Sequence, residues 1–355
     1  MVHIRQGFIV NHKTSLAKLG WQPFFQQQLL LEELGSSKPA RIIEQHKTII
    51  EVATETGIKI LNITKTMPPF TVGDWILLDE SEIFSRVLDR QSCFRRKAAG
   101  AKNSEQLIAT NVDTAFIVCS LNQDFNLNRI ERYLSLVYEA GAEPVIVLSK
   151  LDLCPEPENY KDQVQNLNSS LCVELINGLD SSSVSALHPW CQTGRTIVML
   201  GSSGSGKSTL TNNLLGLEAQ LTKAIREDDA KGRHTTTRRS LLAMQEGAMI
   251  IDTPGMREIQ LSGYEDGVTE AFADIDALSK NCKFSDCQHE SEPGCKVRNA
   301  LQSGELDERR LNNFLKLSRE QAFNAASISE RRSTDKKTVR FHKKVVKESL
   351  KLKGR

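Results

Sequence analysis

A glycine-rich loop with the chemistry to bind phosphate is the clearest functional feature of the sequence. Its glycines let backbone N–H groups turn toward phosphate oxygens, and the helix that follows adds partial positive charge at its N-terminus. Lys207 would reach the terminal phosphates, and the Ser208 hydroxyl would ligate Mg²⁺. The pattern G-x-x-x-x-G-K-[S/T] is matched in full by Gly201, Ser202, Ser203, Gly204, Ser205, Gly206, Lys207 and Ser208, with Thr209 directly after it. The sequence therefore predicts a site for a nucleoside triphosphate with Mg²⁺.

A second phosphate-contacting element, D-x-x-G, follows an apolar strand-like run later in the chain. In P-loop NTPases an aspartate at this point holds Mg²⁺ through water, and here that residue is Asp252. Gly255 would turn its N–H onto the γ-phosphate. Three threonines at 235–237 lie between the two elements, in a segment that suits a sensor of Mg²⁺ and the γ-phosphate. We predict magnesium contacts from Ser208, Asp252 and Thr236, with either neighbouring threonine as an alternative to Thr236.

A short element that would read a guanine base precedes the phosphate loop. It has the sequence Ser-Lys-Leu-Asp over 149–152 and follows an apolar run, as N-K-x-D does in GTPases. Asp152 would accept two hydrogen bonds from guanine, and the stem of Lys150 would cover the base. A competing base that lacks these donors would leave the carboxylate unpaired, at a cost of about 1–3 kcal/mol for each lost hydrogen bond. Ser149 replaces asparagine, so one amide contact is lost or taken over by a hydroxyl.

The order of these elements is unusual, because the base reader comes before the phosphate loop instead of after it. Chain termini of a domain often lie close together, so the same sheet can be built from a circularly permuted sequence. The sequence therefore predicts a permuted arrangement of the nucleotide-binding motifs.

Three cysteines and one histidine lie close together near the C-terminal end of the chain. Together they offer the complete tetrahedral ligand set of a structural Zn²⁺ ion, with no open position for catalysis. Such an ion would supply folding free energy to a small domain, whereas free thiols in a loop are the alternative. The four candidate ligands are Cys282, Cys287, His289 and Cys295. Five scattered cysteines are interpreted as buried thiols in a reducing compartment: Cys93, Cys119, Cys154, Cys172 and Cys191.

The segments that carry these motifs predict a mixed architecture. Short β-rich runs between 39 and 100 are separated by turn residues, which predicts a small β-barrel, either nucleic-acid-binding or purely structural. From about 107, strand-like runs alternate with helical periodicity, which predicts a parallel sheet with ligand loops at the strands' carboxyl ends. Strands are expected at 40–43, 48–54, 58–63, 74–79, 114–121, 144–150, 172–176, 196–201 and 249–255. After about 265 the chain becomes helical and polar.

Composition excludes several classes of protein. The chain has 355 residues, 39% hydrophobic and 25% charged, which fits two or three globular domains. No apolar run approaches the roughly 20 residues needed to span a bilayer, and the N-terminus lacks a secretion signal, so a cytoplasmic protein without a membrane partner is expected. The net charge is only +2, but lysine and arginine dominate the last 25 residues. That tail is either simply solvated or binds a polyanion.

These motifs together resemble the circularly permuted GTPases of the RsgA type, which act in late maturation of the small ribosomal subunit. The resemblance covers roughly residues 38–325 and is supported by matching segments at 111–113, 129–134, 232–237 and 252–258. It implies an α/β protein with an OB-type β-barrel, a circularly permuted P-loop GTPase domain and a zinc-binding helical domain. The predicted bounds are 1–37 for an N-terminal extension, 38–103 for the barrel, 104–265 for the GTPase domain, 266–328 for the zinc-binding domain and 329–355 for a basic tail.

The nucleotide site departs from the family pattern at three places. Ser149 stands for asparagine, and Ser205 stands for the usual valine of the phosphate loop. The guanine-supporting Ser-Ala element is replaced by Asn177 and Gly178, because the literal pair at 185–186 falls too close to the phosphate loop. The phosphate side of the site is intact, whereas the base side has drifted.

Hydrolysis requires a group that orients the attacking water. Ras-like enzymes use a glutamine after D-x-x-G, but Met256 stands there and its apolar side chain cannot do so. His234 is the catalytic candidate, since a neutral imidazole can position water or accept a proton, and the resemblance implies the same role. Contact with RNA, or simple packing, is the alternative role for His234.

The resemblance implies that GTP is hydrolysed to GDP and phosphate, with stimulation by the 30S subunit. The expected cofactors are one structural Zn²⁺ and the Mg²⁺ bound with GTP, and the expected partners of a monomeric chain are the 30S subunit and its 16S rRNA. The tail and the barrel residues Arg86, Arg90, Arg95, Arg96 and Lys97 would contact RNA phosphates. A nucleotide-sensing RNA-binding module with negligible hydrolysis is one alternative. A P-loop ATPase or metal-handling enzyme is another, against which Asp152 and the motif order argue.

Overall fold

The structure is a computed structural model that describes residues 14–97, 105–216, 239–244, 246–252 and 265–325. The chain divides into two compact units, one made of 1–95 with 107–259 and the other of 96–106 with 260–355. The five-part division drawn from the sequence is finer than this one and stays a prediction. Among the described residues, no helix combines the length and the apolar character needed to cross a membrane.

Five antiparallel strands follow a short N-terminal segment of the first unit. From residue 14 onward, that segment contains two short helices, a 3₁₀ turn at Leu16–Leu19 and α1 (Pro23–Gln26). The strands pair in the order β3-β2-β1-β4-β5 around a core that includes Ile42, Val52 and Ile76. They are β1 (Lys38–Gln45), β2 (Ile49–Thr54), β3 (Gly57–Asn62), β4 (Trp75–Leu78) and β5 (Phe84–Val87). Closure of these strands into an OB barrel stays a prediction.

A parallel sheet forms the other part of the first unit. Its strand order is β10-β9-β8-β11-β13, and the antiparallel β12 pairs with β13. The strands are β8 (Thr114–Ser120), β9 (Glu143–Ser149), β10 (Cys172–Ile176), β11 (Thr196–Leu200), β12 (Arg239–Ala243) and β13 (Met249–Asp252). Every residue of β8 and β11 is buried, which explains their continuous apolar sequences. The predicted α/β class is confirmed.

In the part of the chain that the structure describes, four α-helices connect these strands, and a separate pair of strands precedes them. The helices are α2 (Leu127–Ala140), α3 (Pro157–Gln165), α4 (Ser181–Val184) and α5 (Lys207–Leu214). α2 begins at the Asn126 cap and ends at Gly141, whose φ of +75° suits glycine. Strands β6 (Cys93–Lys97) and β7 (Glu105–Thr110) pair as a two-stranded sheet that the sequence did not predict.

The parallel sheet and the N-terminal strands are joined by direct strand pairing. β12 pairs with β1 through Glu44–Ser240 and Gln45–Arg239, so the two sheets are continuous. This junction brings an N-terminal strand next to the strand that directly follows the predicted threonine segment. This pairing was not predicted, because its two strands are about 195 residues apart and sequence periodicity reports only local structure.

The described part of the second unit is helical. It contains α6 (Glu265–Ala271), α7 (Ala273–Ser279), α8 (Lys296–Ser303) and α9 (Glu308–Ala325). Arg310 of α9 forms an ion pair with Asp274 of α7 at 2.6 Å and lies over the ring of Phe272. The cysteine–histidine cluster is in the connection between α7 and α8, as the sequence predicts for a metal-wrapping loop.

Candidate nucleotide site and metal centre

The phosphate loop occupies the turn between β11 and α5, at the carboxyl end of the parallel sheet. Gly201 has a φ of +144°, and a side chain there would clash with the Val118 carbonyl oxygen of β8. Gly206 caps α5 with a φ of +93°, so its conformation also favours glycine. Ser203 and Gly204 form the exposed tip of the loop. The strand, loop and helix are therefore arranged as phosphate binding requires.

Lys207 lies across the concave side of this loop. Its ammonium group donates hydrogen bonds to the carbonyl oxygens of Gly201, at 2.7 Å, and of Ser202. Ser208 and Thr209 follow in the first turn of α5, and Ser208 is exposed. A lysine and a hydroxyl thus stand at the helix N-terminus, where a phosphate and its metal ion would bind.

The predicted base reader is located at the end of β9. Lys150 adopts the left-handed conformation, with a φ of +62°, and this uncommon turn leads into a 3₁₀ helix at Leu151–Leu153. Asp152 is exposed within that helix, so its carboxylate is accessible to a base. β9 and β11 both run parallel to β8, which lies between them. Because the predicted base reader and the phosphate loop follow the carboxyl ends of β9 and β11, they lie at the same edge of the sheet.

Ser149 connects the base reader to the phosphate loop. Its hydroxyl donates a hydrogen bond to the Ser205 carbonyl oxygen at 2.6 Å, and both residues are buried. The side chain that replaces asparagine therefore contacts the loop itself.

Asn177 and Gly178 lie at the carboxyl end of β10, beside α5. The Gly178 carbonyl oxygen accepts a hydrogen bond from the Asn213 side chain at 3.4 Å, and its Cα lies next to Thr209. The literal Ser-Ala pair lies instead in a 3₁₀ helix, Ser185–Trp190. The structure thus brings Asn177 and Gly178, and not that pair, to the ligand edge of the sheet.

The switch elements are only partly within the described residues. Asp252 ends β13 directly beside β11, at the expected edge of the sheet. Gly255, Met256, Thr236 and the catalytic candidate His234 lie outside the described residues, as does the tail.

One residue of this site carries no motif and was missed from the sequence. Asp124, in the loop between β8 and α2, accepts a hydrogen bond from the Ser202 hydroxyl of the phosphate loop at 2.5 Å. An acidic residue soon after a buried strand of a parallel sheet is the signal that could have indicated it, because such loops form the ligand edge.

The four predicted zinc ligands converge in the second unit. Their ligand atoms all lie within 4.8 Å of one another. The His289 Nδ1 atom is 3.4 Å from the Cys295 sulfur and 3.8 Å from the Cys282 sulfur, and these two sulfurs are 3.9 Å apart. Tetrahedral Zn²⁺ with bonds of about 2.0–2.3 Å separates its ligand atoms by about 3.4–3.8 Å. The donor set therefore fits one structural Zn²⁺ ion.

The surroundings of the cluster orient its ligands. Ser279 lies 3.1 Å from His289 Nε2, which leaves Nδ1 directed at the cysteines. Burial lowers the pKa of the His289 imidazole and so favours the neutral ring that a metal requires. All eight cysteines are free thiols, and of the other five Cys119 and Cys191 are buried whereas Cys172 is exposed. Cys93 and Cys154 are half-buried, so the prediction that all five are buried is confirmed for Cys119 and Cys191 and is wrong for Cys172.

Comparison with known proteins agrees with this geometry. The profile of the RsgA GTPase family matches residues 87–262. A relative named small ribosomal subunit biogenesis GTPase RsgA 2, from Vibrio vulnificus, is 55% identical over 96% of this chain and 97% of its own. Small ribosomal subunit biogenesis GTPase RsgA of Xanthomonas axonopodis pv. citri is 44% identical over 82% and 83% of the two chains.

The chain belongs to the RsgA GTPase family. Solved structures with the same fold include YjeQ from Thermotoga maritima, with a TM-score of 0.60 and 24% identity over 79% of this chain and 97% of that one. Another is YloQ, described as a circularly permuted GTPase, with a TM-score of 0.58 and 23% identity over 84% and 100% of the chains. The predicted family and circularly permuted fold are confirmed.

In this family member, several arginines expected to contact RNA make internal contacts. Arg86 forms an ion pair with Glu33 at 2.8 Å, and Arg90 forms one with the fully buried Asp74 at 2.7 Å. Arg96 donates to Gln106 at 3.1 Å. Breaking the Arg90 pair would leave a buried carboxylate uncompensated, which is costly. Arg86 and Arg90 therefore have structural roles that compete with phosphate binding.

Proposed function

We propose that this protein hydrolyses GTP to GDP and phosphate on the small (30S) ribosomal subunit during its late maturation, with hydrolysis stimulated by the subunit. The observation that carries the proposal is the Ser149–Ser205 hydrogen bond, which joins a base reader to a phosphate loop in the permuted order. The names of the relatives, which are small ribosomal subunit biogenesis GTPases, support the choice of partner.

The proposed roles follow from the motif to which each residue belongs. Asp152 reads the guanine edge, Lys150 covers the base, and Lys207 neutralises the terminal phosphates. Ser208, Asp252 and Thr236 would hold Mg²⁺, which supplies charge neutralisation at the phosphates when bound. His234 orients the attacking water, in the place where Met256 cannot. Gly255 and the loop residues 201–206 contribute backbone N–H donors.

The second unit is proposed to hold one structural Zn²⁺ ion through its Cys₃His cluster. Because the four ligands bridge the connection between α7 and α8, the ion would fix this part of the chain for docking on RNA. The proposed RNA is the 16S rRNA of the subunit. We further propose that the protein acts as a monomer in the cytoplasm, where ribosomal subunits are assembled.

Single-turnover hydrolysis of GTP and of ATP, each with and without purified 30S subunits, tests this function. We expect GTP hydrolysis to be slow alone and at least tenfold faster with 30S subunits, and ATP to be used poorly in both cases. Stimulation absent at saturating 30S would refute the proposed function. Tight 30S and GTP binding without turnover would instead identify a nucleotide-sensing RNA-binding module.

Two variants separate the proposed roles within the same assay. His234→Ala should bind GTP normally but lose 30S-stimulated hydrolysis, and normal turnover by this variant would remove the catalytic role of His234. Asp152→Ala should lose the preference for GTP over ATP, since its carboxylate supplies the discrimination. His188→Ala is a matched control, because His188 forms a surface pair with Glu246 away from the predicted motifs.

A further inference from the structure

The carboxylate of Asp124 is hydrogen-bonded to the phosphate loop, and we call Asp124 with its partners Ser202 and Arg129 the clasp. One oxygen of its carboxylate, Oδ2, accepts the Ser202 hydroxyl at 2.5 Å, and the other, Oδ1, lies 2.8 Å from a guanidinium nitrogen of Arg129. Hydrogen bonds from a hydroxyl to an ionised carboxylate are about twice as strong as neutral ones, and their lengths are about 2.5–2.7 Å. The loop that starts at Gly201 is thus held by a charged group from a different strand connection.

The clasp is itself held in place by local structure. The side-chain oxygen of Asn122 accepts hydrogen bonds from the Asp124 N–H and from the Ser120 hydroxyl, each at 2.9 Å. The Asn126 side chain caps α2 by accepting from the Arg129 N–H at 3.0 Å, which fixes the first turn that carries this arginine. Because these hydrogen bonds fix the backbone of both Asp124 and Arg129, their side chains lose little conformational freedom when Asp124 accepts the hydrogen bond from Ser202.

Arg129 compensates the negative charge that Asp124 places beside the phosphate loop. A carboxylate beside a phosphate loop would repel a bound di- or triphosphate if it carried an uncompensated charge. The ion pair with Arg129 neutralises it, while leaving Oδ2 free to accept from Ser202. In agreement, the hydrogen bond from Ser202, followed by that from Arg129, lowers the pKa of the Asp124 carboxyl, which keeps it ionised at neutral pH.

The phosphate loop is therefore fastened at two points by residues from the front half of the permuted domain. Asp124 holds Ser202 near the start of the loop, and Ser149 holds Ser205 near its end. The backbone between these two points carries the N–H groups that would face phosphate oxygens. Fixing it before the ligand arrives reduces the ordering cost of binding.

We infer that Asp124 is a positioning residue for nucleotide binding, which acts through the Ser202 hydroxyl to preset the phosphate loop. This inference rests on the proposed function, because it assumes that the loop binds GTP and GDP. Asp124 touches no substrate in this role, so its effect must be transmitted entirely through Ser202.

A double-mutant cycle on the full-length protein tests the inference, with fluorescent GDP and GTP analogues as the probes. We expect Asp124→Ala and Ser202→Ala each to weaken nucleotide affinity about fivefold to tenfold, as the loss of one strong hydrogen bond does. The double variant should be no weaker than the weaker single variant, because both changes remove the same contact. Asp124→Asn should recover part of the affinity, since its amide oxygen can still accept from Ser202.

The controls separate positioning from general destabilisation. Asp79→Ala removes the same charge from a hairpin turn, where Asp79 accepts from the Ile83 N–H, and should leave affinity unchanged. Unchanged affinity in Asp124→Ala, or losses that multiply in the double variant, would overturn the inference. If Asp124→Ala fails to fold, Ser202→Ala decides alone, and unchanged affinity there overturns it. A wild-type protein that binds neither nucleotide would instead refute the proposed function.

Discussion

At the scale of single residues, Ser149 and Ser205 are two departures from the family pattern that contact each other. Ser205 is fully buried, so its carbonyl oxygen needs a donor, and the Ser149 hydroxyl supplies it at 2.6 Å. Asparagine at 149 would be expected to brace the loop through its amide, and the shorter serine does so through its hydroxyl. The predicted base reader therefore remains hydrogen-bonded to the phosphate loop, although its first residue is serine.

Ser149→Ala should weaken GDP and GTP binding about fivefold to tenfold, because a buried acceptor left unpaired costs about 1–3 kcal/mol and part of this cost falls on the bound state. The ratio of guanine to adenine affinity should not change, since Asp152 is untouched. Equilibrium titration with fluorescent nucleotides measures both quantities. Ser182→Ala, which removes an exposed hydroxyl bonded to Asp180, is the control. Full affinity in Ser149→Ala would show that the hydrogen bond does not support the loop.

The residues that could be predicted from the sequence are those that belong to short local motifs. Lys207, Asp152 and the predicted zinc ligands belong to such short patterns, so the sequence could single them out as candidates. The partners Asp124 and Ser202 are far apart in the chain and meet only because β8 and β11 are adjacent in the sheet. No local pattern encodes that adjacency, and the clasp was therefore not predicted.

At the scale of elements, we expect the connection between α7 and α8 to depend on its metal ligands for order. Cys295 caps α8 with its sulfur, which accepts from the Arg298 N–H at 3.4 Å, and His289 has a φ of +61°. A non-glycine residue in that conformation is strained and requires compensation. Zinc binding would compensate for this strain and hold the two helices together.

Cys282→Ser should lower the zinc content from about one ion per chain to a small fraction of that, with loss of helical signal from the second unit. The reason is that a structural site with three ligands no longer offsets the strain of its loop. Elemental analysis and far-UV circular dichroism measure the two effects. Cys172→Ser, at an exposed thiol of β10, should retain both properties. A Cys282→Ser protein with a full equivalent of zinc would contradict the assigned ligand set.

The N-terminal segment is attached to the five antiparallel strands that follow it by a bidentate ion pair. Glu33 accepts from two nitrogens of Arg86 and from the Leu30 N–H, each at 2.8 Å. The hydrogen bond from Arg86, then that from Leu30, lowers the Glu33 pKa from 4.5 to about 2. A carboxyl group whose pKa is lower in the folded protein stabilises the folded state at pH values above its pKa in the unfolded chain. This stabilisation is lost as the pH falls toward the pKa in the folded state.

Glu33→Gln should therefore lower the free energy of unfolding by about 1 kcal/mol at pH 7. The difference from the wild type should be constant above pH 4.5 and should shrink between pH 4.5 and 2. Urea unfolding at pH 7 and at several values below 4.5 measures it. Glu32→Gln, a change at a neighbouring exposed glutamate, is the control and should leave the free energy of unfolding at pH 7 unchanged. A difference that grows on acidification would have the wrong sign for this ion pair.

Elements were predictable from sequence when burial made them uniformly apolar. β8, β9 and β11 are of this kind, and all three lie where their apolar runs predict. β5, with the sequence FSRV, and β12, with RSLLA, are short and mixed, so they gave no strand signal. Pairing with neighbouring strands, and not their own sequence pattern, places these two strands.

At the scale of the whole molecule, the first unit is continuous from its N-terminal strands to its parallel sheet. Besides the β1–β12 pairing, a buried guanidinium connects the two parts. Arg41 of β1 donates to the Leu19 carbonyl oxygen at 2.6 Å, the Thr196 hydroxyl at 2.8 Å and the Asn111 carbonyl oxygen at 3.1 Å. Burial lowers its pKa to about 10, so it stays protonated at neutral pH. One side chain thus joins the N-terminal segment, β1 and the start of β11.

Replacing this arginine should destabilise both parts of the first unit together. Arg41→Met would leave three acceptors without their donor, each costing about 1–3 kcal/mol when buried, so we expect a loss of about 3–5 kcal/mol. Arg41→Lys should recover only a fraction, because one ammonium group cannot reproduce the fork of a guanidinium. Thermal unfolding followed by circular dichroism and by release of fluorescent GDP should show two coincident transitions, both shifted to lower temperature.

Arg195→Met, at an exposed arginine paired with Asp113, should shift them little. If Arg41→Met lost secondary structure in one step and released nucleotide in a later, unshifted step, the N-terminal strands and the nucleotide site would be energetically independent, contrary to the continuous sheet.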